Sequence, residues 1–246
     1  MSQSERRGAT LDDFWVIPEG ERRHELMAGE LFEKAAPSGE HGAAQAGIVG
    51  AVLGPFQRRS GGGGGGGGPG GWWIATEVEI LLETGDVVRP DVVGWRREQR
   101  PERPTGIPVD QLPDWVCEVV SPSSATHDTV RKLRLYHRVG IPHYWVADPR
   151  DATLTVMRWS LDGYITVLRA ERHEVVRAEP FEAIMIAVGV LFGDDPRDDP
   201  RDDPRDDPRD EPRDDPRDDP RDDPRDDPRD DPRDDPRDDP PSDGSE

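Results

Sequence analysis

Three ionisable side chains stand where packing alone would not put them: Asp91 in VVRPDVVGW, Glu118 in WVCEVVS and Lys132 in THDTVRKLRLYHRVG. Asp91 interrupts an apolar, β-branched run that reads as a strand. In WVCEVVS, Trp115, Cys117 and Val119 alternate with Val116, Glu118 and Val120, and both sets are otherwise apolar, so Glu118 is expected to be at least partly buried. An isolated buried carboxylate is costly unless it is paired, protonated or bound to a metal. On a helical wheel of 128–139, Arg131, Arg134 and Arg138 mark the solvent side, while Lys132 shares an arc with Leu135, Tyr136 and Val139 and turns inward with Asp128. Two carboxylates on neighbouring strands and an inward lysine suit a Mg²⁺ site, since Mg²⁺ takes one or two carboxylates and completes its shell with water and phosphate oxygens. The lysine could orient or deprotonate an attacking water, or stabilise developing negative charge. The same residues could equally form a buried salt bridge, Lys132 with Asp91 or Glu118, without catalysis. Spacing alone leaves both readings open.

Positioning these groups requires a sheet and a helix packed on it. Thr10 before LDDFWVI reads as a capped short helix, and HELMAGELFEKA (24–35) as a strand–turn–strand around its central AG. HGAAQAGIVGAVLGPFQRR (41–59) is a helix candidate, with Ile48, Val49, Val52, Leu53 and Phe56 on one face. Ala43, Gly47, Gly50, Ala51 and Gly54 on the other face would allow close packing, and Pro55 should kink or end the helix. Strand candidates cover 72–83, 87–95, 115–121 and 143–149, with 101–113 a surface loop. A helix over 126–140 ends at Gly140, and TLTVMRWS and GYITVLRA are joined by LDG as a hairpin. This order predicts an α/β or α+β fold with a central mixed β-sheet flanked by helices.

Composition divides the chain. From Asp194 the sequence is DDPR repeated eleven times, once as DEPR, and then DDPPSDGSE. Residues 1–193 carry a net charge of −6 and the remainder −15, so the overall −21 describes the tail more than the body. The expected organisation is a domain over 1–193 and a disordered acidic tail over 194–246, because a proline every fourth residue and no apolar side chains exclude a packed element. Polyglycine at 61–71 is expected to be a flexible loop, since ordering it loses too much entropy. It is not a phosphate loop, as no GK[ST] follows. A single cysteine, Cys117, suits a reducing cytoplasm. The N-terminus lacks a signal-like apolar stretch, and IMIAVGVLF (184–192) is too short to span a bilayer, so no membrane association is expected.

The sequences RPDVVGW and WVCEVVSPSSATHDTVRKLRLYHRVGIPHYWVADP resemble the Uma-type restriction endonuclease family of the PD-(D/E)xK nuclease-like superfamily. HELMAGEL and HGAAQAGIVGAVL resemble its opening, and the likeness runs from about residue 10 to 192. The resemblance implies a restriction-endonuclease-like fold and Mg²⁺-dependent phosphodiester cleavage, most simply of DNA, with Mn²⁺ as an alternative ion. By position, Asp91 and Glu118 match the metal-binding acids. The superfamily lysine normally stands two residues after the glutamate; here that position is Val120, and Lys132 is the natural replacement. Glu25 matches an acidic position in the opening region, as a metal or water-positioning group. From the residues themselves, His41 at its helix start could contact a phosphate or make a helix-start hydrogen bond. Arg96 and Arg97, leading out of the PD strand, could reach backbone phosphates or lie in a solvated loop. A homodimer would suit double-strand cleavage. The alternative is a non-catalytic nucleic-acid-binding or interaction protein that keeps the fold.

Overall fold

The computed structural model of the chain describes residues 8–57, 68–121 and 127–195, with the side chains of 127–129 outside that description. Most of the polyglycine segment, the tail beyond Asp195 and the Asp128 side chain therefore lie outside the described residues.

The chain opens with helix α1 (Leu11–Trp15), closed by a capping box in which Asp13 Oδ2 accepts from Thr10 N at 2.8 Å. Strands β1 (His24–Met27) and β2 (Glu30–Glu33) form the antiparallel hairpin expected from HELMAGEL. Its turn residues Ala28 and Gly29 both have positive φ, 51° and 76°, as a tight twisted turn requires. Helix α2 (Gly39–Phe56) starts two residues before the expected boundary because Ser38 caps it, accepting from His41 N at 3.2 Å. Pro55 does not break it; the helix runs one residue further.

The two strand candidates at 72–83 and 87–95 prove to be one long hairpin with a crease. The first divides into β3 (Trp72–Thr76) and β4 (Ile80–Leu81), the second into β5 (Val87–Val88) and β6 (Val92–Arg96). β3 and β6 pair in a six-stranded sheet, whereas β4 and β5 pair in a separate four-stranded sheet with β1 and β2. The expectation of one continuous strand over 87–95 is thus corrected. Pro90 has no N–H to give a ladder, so pairing stops there, and Asp91 sits at the joint rather than within a strand. On the facing side of the crease Glu77 has a φ of 54°, uncommon for a residue with a side chain.

The large sheet continues through β7 (Trp115–Val119), helix α3 (His127–Val139), β8 (His143–Asp148), β9 (Thr153–Ser160) and β10 (Gly163–Glu171). Its order is β10-β9-β8-β7-β6-β3, and β7–β8 is the parallel pair, with α3 as the crossover between them. Gly140, at φ 82°, ends α3 as expected. Strands β11 (Val175–Val176) and β12 (Ile186–Ala187) and helix α4 (Val188–Leu191) complete the described fold.

Both faces of the large sheet are covered, which is why its strands read as nearly continuous apolar runs. Trp115, Cys117 and Val119 of β7 face one core with Trp145, Phe181 and the buried stripe Ala44, Ile48, Val52 and Phe56 of α2. Val116 faces the other with Val93, Trp95, Tyr144 and the α3 residues Leu135 and Tyr136. The alternation read from WVCEVVS therefore holds, and it puts Glu118 on the α3 side. Among the described residues no helix is long and apolar enough to cross a membrane.

Of the small residues expected to let another element approach α2, only some are used. A Cβ on Gly47 would lie 2.5 Å from the Leu191 carbonyl oxygen, whereas one on Gly50 or Gly54 would meet nothing within 4 Å. Gly47→Ala should therefore cost about 1–3 kcal/mol through overpacking against backbone that cannot rotate away. Gly50→Ala, on the exposed face, should stabilise by about 0.5–1 kcal/mol by removing helix-interior glycine. Urea unfolding of the two variants checks both signs.

Candidate active site

Asp91 is 1% exposed, and its two oxygens face different ways. Register explains the inner one. β6 pairs with β7 as Val92↔Cys117 and Val93↔Val116, and one more step sets Asp91 beside Glu118. At that step β6 offers no ladder partner, and Asp91 Oδ2 accepts from Val119 N at 2.7 Å instead. The outer oxygen, Oδ1, faces Lys34 Nζ at 2.7 Å and His41 Nε2 at 3.3 Å. The His41 contact is off line for a hydrogen bond, and both ring nitrogens are buried without a hydrogen-bond partner. Burial pushes the Asp91 carboxyl up, but the neighbouring His41 and Lys34, with Lys132 behind them, outweigh it and hold the group well below the usual carboxylate range.

Glu118 takes the opposite course. Its Oε2 lies 3.1 Å from Lys132 Nζ, and its Oε1 accepts from the Tyr136 hydroxyl at 2.6 Å. Lys132 and Tyr136 are one turn apart on α3 and so reach the same carboxylate. Burial raises the Glu118 carboxyl most; Lys132 opposes this, and the charges of Asp91 and Glu25 add to it, leaving the group pushed up to about 7. Lys132 also pairs with Glu25 Oε1 on β1 at 3.0 Å, and the same oxygen accepts from Arg89 N at 2.7 Å. Burial keeps the Tyr136 hydroxyl and the Cys117 thiol well above their usual values, so Tyr136 remains a donor and Cys117 is not a thiolate nucleophile.

These groups open on one cavity of about 500 Å³, lined among others by Glu25, His41, Glu77, Asp91, Glu118 and Lys132. Five of the residues singled out from the sequence, Asp91, Glu118, Lys132, Glu25 and His41, are thus brought together. His41 makes the helix-start bond through its backbone and presents its ring to the cavity. Arg96 and Arg97 are not brought there. β6 carries them to its far end, about 15 Å from Asp91 by strand rise. Arg96 stacks over Trp72, and Arg97 is tied to the carbonyls of Trp72 and Gln57. Arg23 and Arg89 line the cavity instead.

Two residues of the site were not singled out from the sequence: Lys34 at the end of β2, and Glu77 at the crease. Lys34 Nζ bridges Glu77 Oε2 at 2.8 Å and Asp91 Oδ1. Burial alone would lower the Lys34 pKa, but the charges of Asp91, Glu118 and Glu77 outweigh burial and the opposing Lys132, and raise it. A signal for Lys34 was present. The chain has 32 Lys plus Arg, of which Lys34 and Lys132 are the two lysines, and both stand in this cavity. Among the described residues His41, Glu77 and Asp91 also offer metal-ligand atoms within 4.8 Å of one another, a set that does not include Glu118.

Residues 11–189 match the model of the Uma2 family, described as "Putative restriction endonuclease", and the chain belongs to that family. No curated protein matches it. Among solved structures, a "putative nuclease" of the DUF820 group from Anabaena variabilis is similar, with a TM-score of 0.57 and 22% identity. The match covers 74% of this chain and 97% of that one, and it shows a shared fold.

The Glu118 carboxyl holds its proton to about 7 when folded, against about 4.3 for an unperturbed glutamate. The folded state therefore binds more protons in that window, and this group makes stability fall as pH rises through it. Asp91 acts below the window, its contribution being lost as pH drops under its unfolded value. Glu118→Gln should flatten the decline in Tm between about pH 4.5 and 7; parallel Tm–pH curves for wild type and variant would contradict this.

Proposed function

We propose that this chain is a divalent-metal-dependent endonuclease that hydrolyses phosphodiester bonds, with DNA as substrate and Mg²⁺ or Mn²⁺ as the ion. The observation that carries the reading is the convergence of Asp91, Glu77 and His41, whose ligand atoms lie within 4.8 Å of one another, at a cavity lined by five carboxylates, Glu25, Glu33, Glu77, Asp91 and Glu118, and four basic side chains, Arg23, Lys34, Arg89 and Lys132. Two carboxylates and a buried imidazole converging on one point are a donor set that a divalent cation would answer. Asp91 is the central ligand of that reading, with His41 and Glu77 beside it and Glu118 across the crease. Carboxylate oxygens suit Mg²⁺, and an imidazole donor broadens the set toward Mn²⁺. Bound there, the ion would supply an acidified water and charge neutralisation for phosphate oxygens.

The chain's own groups have separable tasks. Lys132 stands beside Glu118 at the cavity wall, where it can hold a water or the developing negative charge on phosphate. Glu25 is a positioning residue: it fixes Lys132 from the β1 side while held by Arg89 N–H. Tyr136 positions Glu118 by donating to Oε1. Val119 N–H anchors Asp91 Oδ2 and so directs Oδ1 at the cavity. Phe32, Ala35, Ala36, Pro37 and Val119 give the wall apolar surface that limits water. Arg23, exposed at the cavity, is the cation suited to a backbone phosphate.

One observation favours the non-catalytic alternative. Asp91 is already paired with Lys34, and Glu118 with Lys132, as a purely structural salt-bridge cluster would be. Supercoiled-plasmid nicking separates the readings. The wild-type chain should nick with Mg²⁺ or Mn²⁺ and not with EDTA, and Asp91→Ala and Lys132→Gln should each lose at least about 10²-fold. Equal behaviour of wild type and Asp91→Ala would end the nuclease reading.

A further inference from the structure

Lys34 is surrounded as a bound cation is. Its Nζ donates to Glu77 Oε1 at 2.9 Å, Glu77 Oε2 at 2.8 Å, the Arg89 carbonyl at 3.0 Å and Asp91 Oδ1 at 2.7 Å. Two of these groups, Glu77 and Asp91, are also two of the three that could hold a metal ion, the third being His41. His41 is 6% exposed, its Nε2 is 3.3 Å from the same Asp91 Oδ1, and neither ring nitrogen has a well-aligned hydrogen bond among the described residues. An unsatisfied imidazole so deeply buried is costly. It shares with the ammonium the same Asp91 oxygen.

We propose that the Lys34 ammonium is a tethered occupant of the cation position framed by Asp91, Glu77 and His41, and that a divalent ion binds there only by displacing it. The inference rests on the metal-site reading above and adds a competition to it. A divalent ion would take the Asp91 and Glu77 oxygens at about 2.0–2.6 Å. It could not share them with an ammonium at hydrogen-bond distance, because the two like charges would lie within a few ångströms of each other. Lys34 can leave. Its side chain is 21% exposed, against 4% for Lys132, and it hangs on a flexible four-carbon stem from the end of β2 at the cavity wall. Lys132 is different in kind: its acid partners, Glu25 and Glu118, are not among the three groups that could hold the ion. The consequence is a metal site that is closed by charge at low ion concentration without losing its geometry.

The test is a Mn²⁺ titration of the full chain followed by NMR, reading paramagnetic broadening of the His41 ring protons, assigned with His41→Gln. The signal is local, so Mn²⁺ held by the acidic tail lowers the free ion equally in all variants. Lys34→Gln and Lys34→Met should reach half-broadening at about tenfold lower Mn²⁺ than wild type, and Asp91→Asn should show no local broadening. The Met variant keeps the stem and its packing, should the Gln variant fold poorly. If wild type binds and neither Lys34 variant binds more tightly, the competition is wrong while the metal site stands. If no version of the chain broadens His41, the metal site and the competition fall together.

Discussion

A carboxylate only 1% exposed must have most of its charge answered by protein, and the site is organised by how Asp91 meets that requirement. One oxygen takes a β7 amide that the interrupted β6 ladder leaves free. The other takes Lys34 from β2 and faces His41 from α2. The consecutive elements β2 and α2 and the distant strand β7 are thereby held to the point where one sheet gives way to another. Without the crease at Pro90 the amide of Val119 would pair with backbone, and Asp91 would have nothing to hold.

The use of lysine follows from the space available. Arginine supplies the other cations of the chain, and where a guanidinium is used it lies against planar partners, as Arg22 does on Glu79 and on the rings of Phe14 and Trp15. Between converging carboxylates a compact ammonium, able to donate in three directions, fits where a planar fork does not. Lys34 and Lys132 each join two acids from different elements, so the pairs act as cross-links between β2 and the crease and between α3, β1 and β7. The same arrangement gathers Asp91, Glu77 and His41 within reach of one point, so the ion pairs and a cation site would draw on the same oxygens.

Much of this was legible before any coordinates. The alternation in WVCEVVS placed Glu118 on the face opposite Trp115, and the wheel of 128–139 turned Lys132 away from the arginines. Both follow from periodicity, which depends on local geometry only. The hairpin at Ala28 and Gly29, the end of α3 at Gly140 and the LDG hairpin were legible for the same reason. Lys34 and Glu77 were not legible from periodicity, and only the scarcity of lysine marked Lys34. Each sits just past the end of a short strand, where neither a period of 2 nor of 3.6 says which way a side chain points. Arg96 and Arg97 stand apart from the cavity because nearness in sequence to Asp91 is not nearness along an extended strand, which carries residues apart by about 3.3 Å each.

The sequence by itself determined the chemistry available and the local elements: the acids, the inward lysine, the two-sided burial of β7, and membership of the Uma2 family through motifs in fixed order. Tertiary structure decided which of those groups meet. The break of 87–95 into strands of two different sheets, the capture of the Val119 amide by Asp91, and the arrival of Lys34 and His41 at one oxygen all depend on how distant segments pack. Local patterning cannot encode that, because each contact joins residues whose own segments would be satisfied without it.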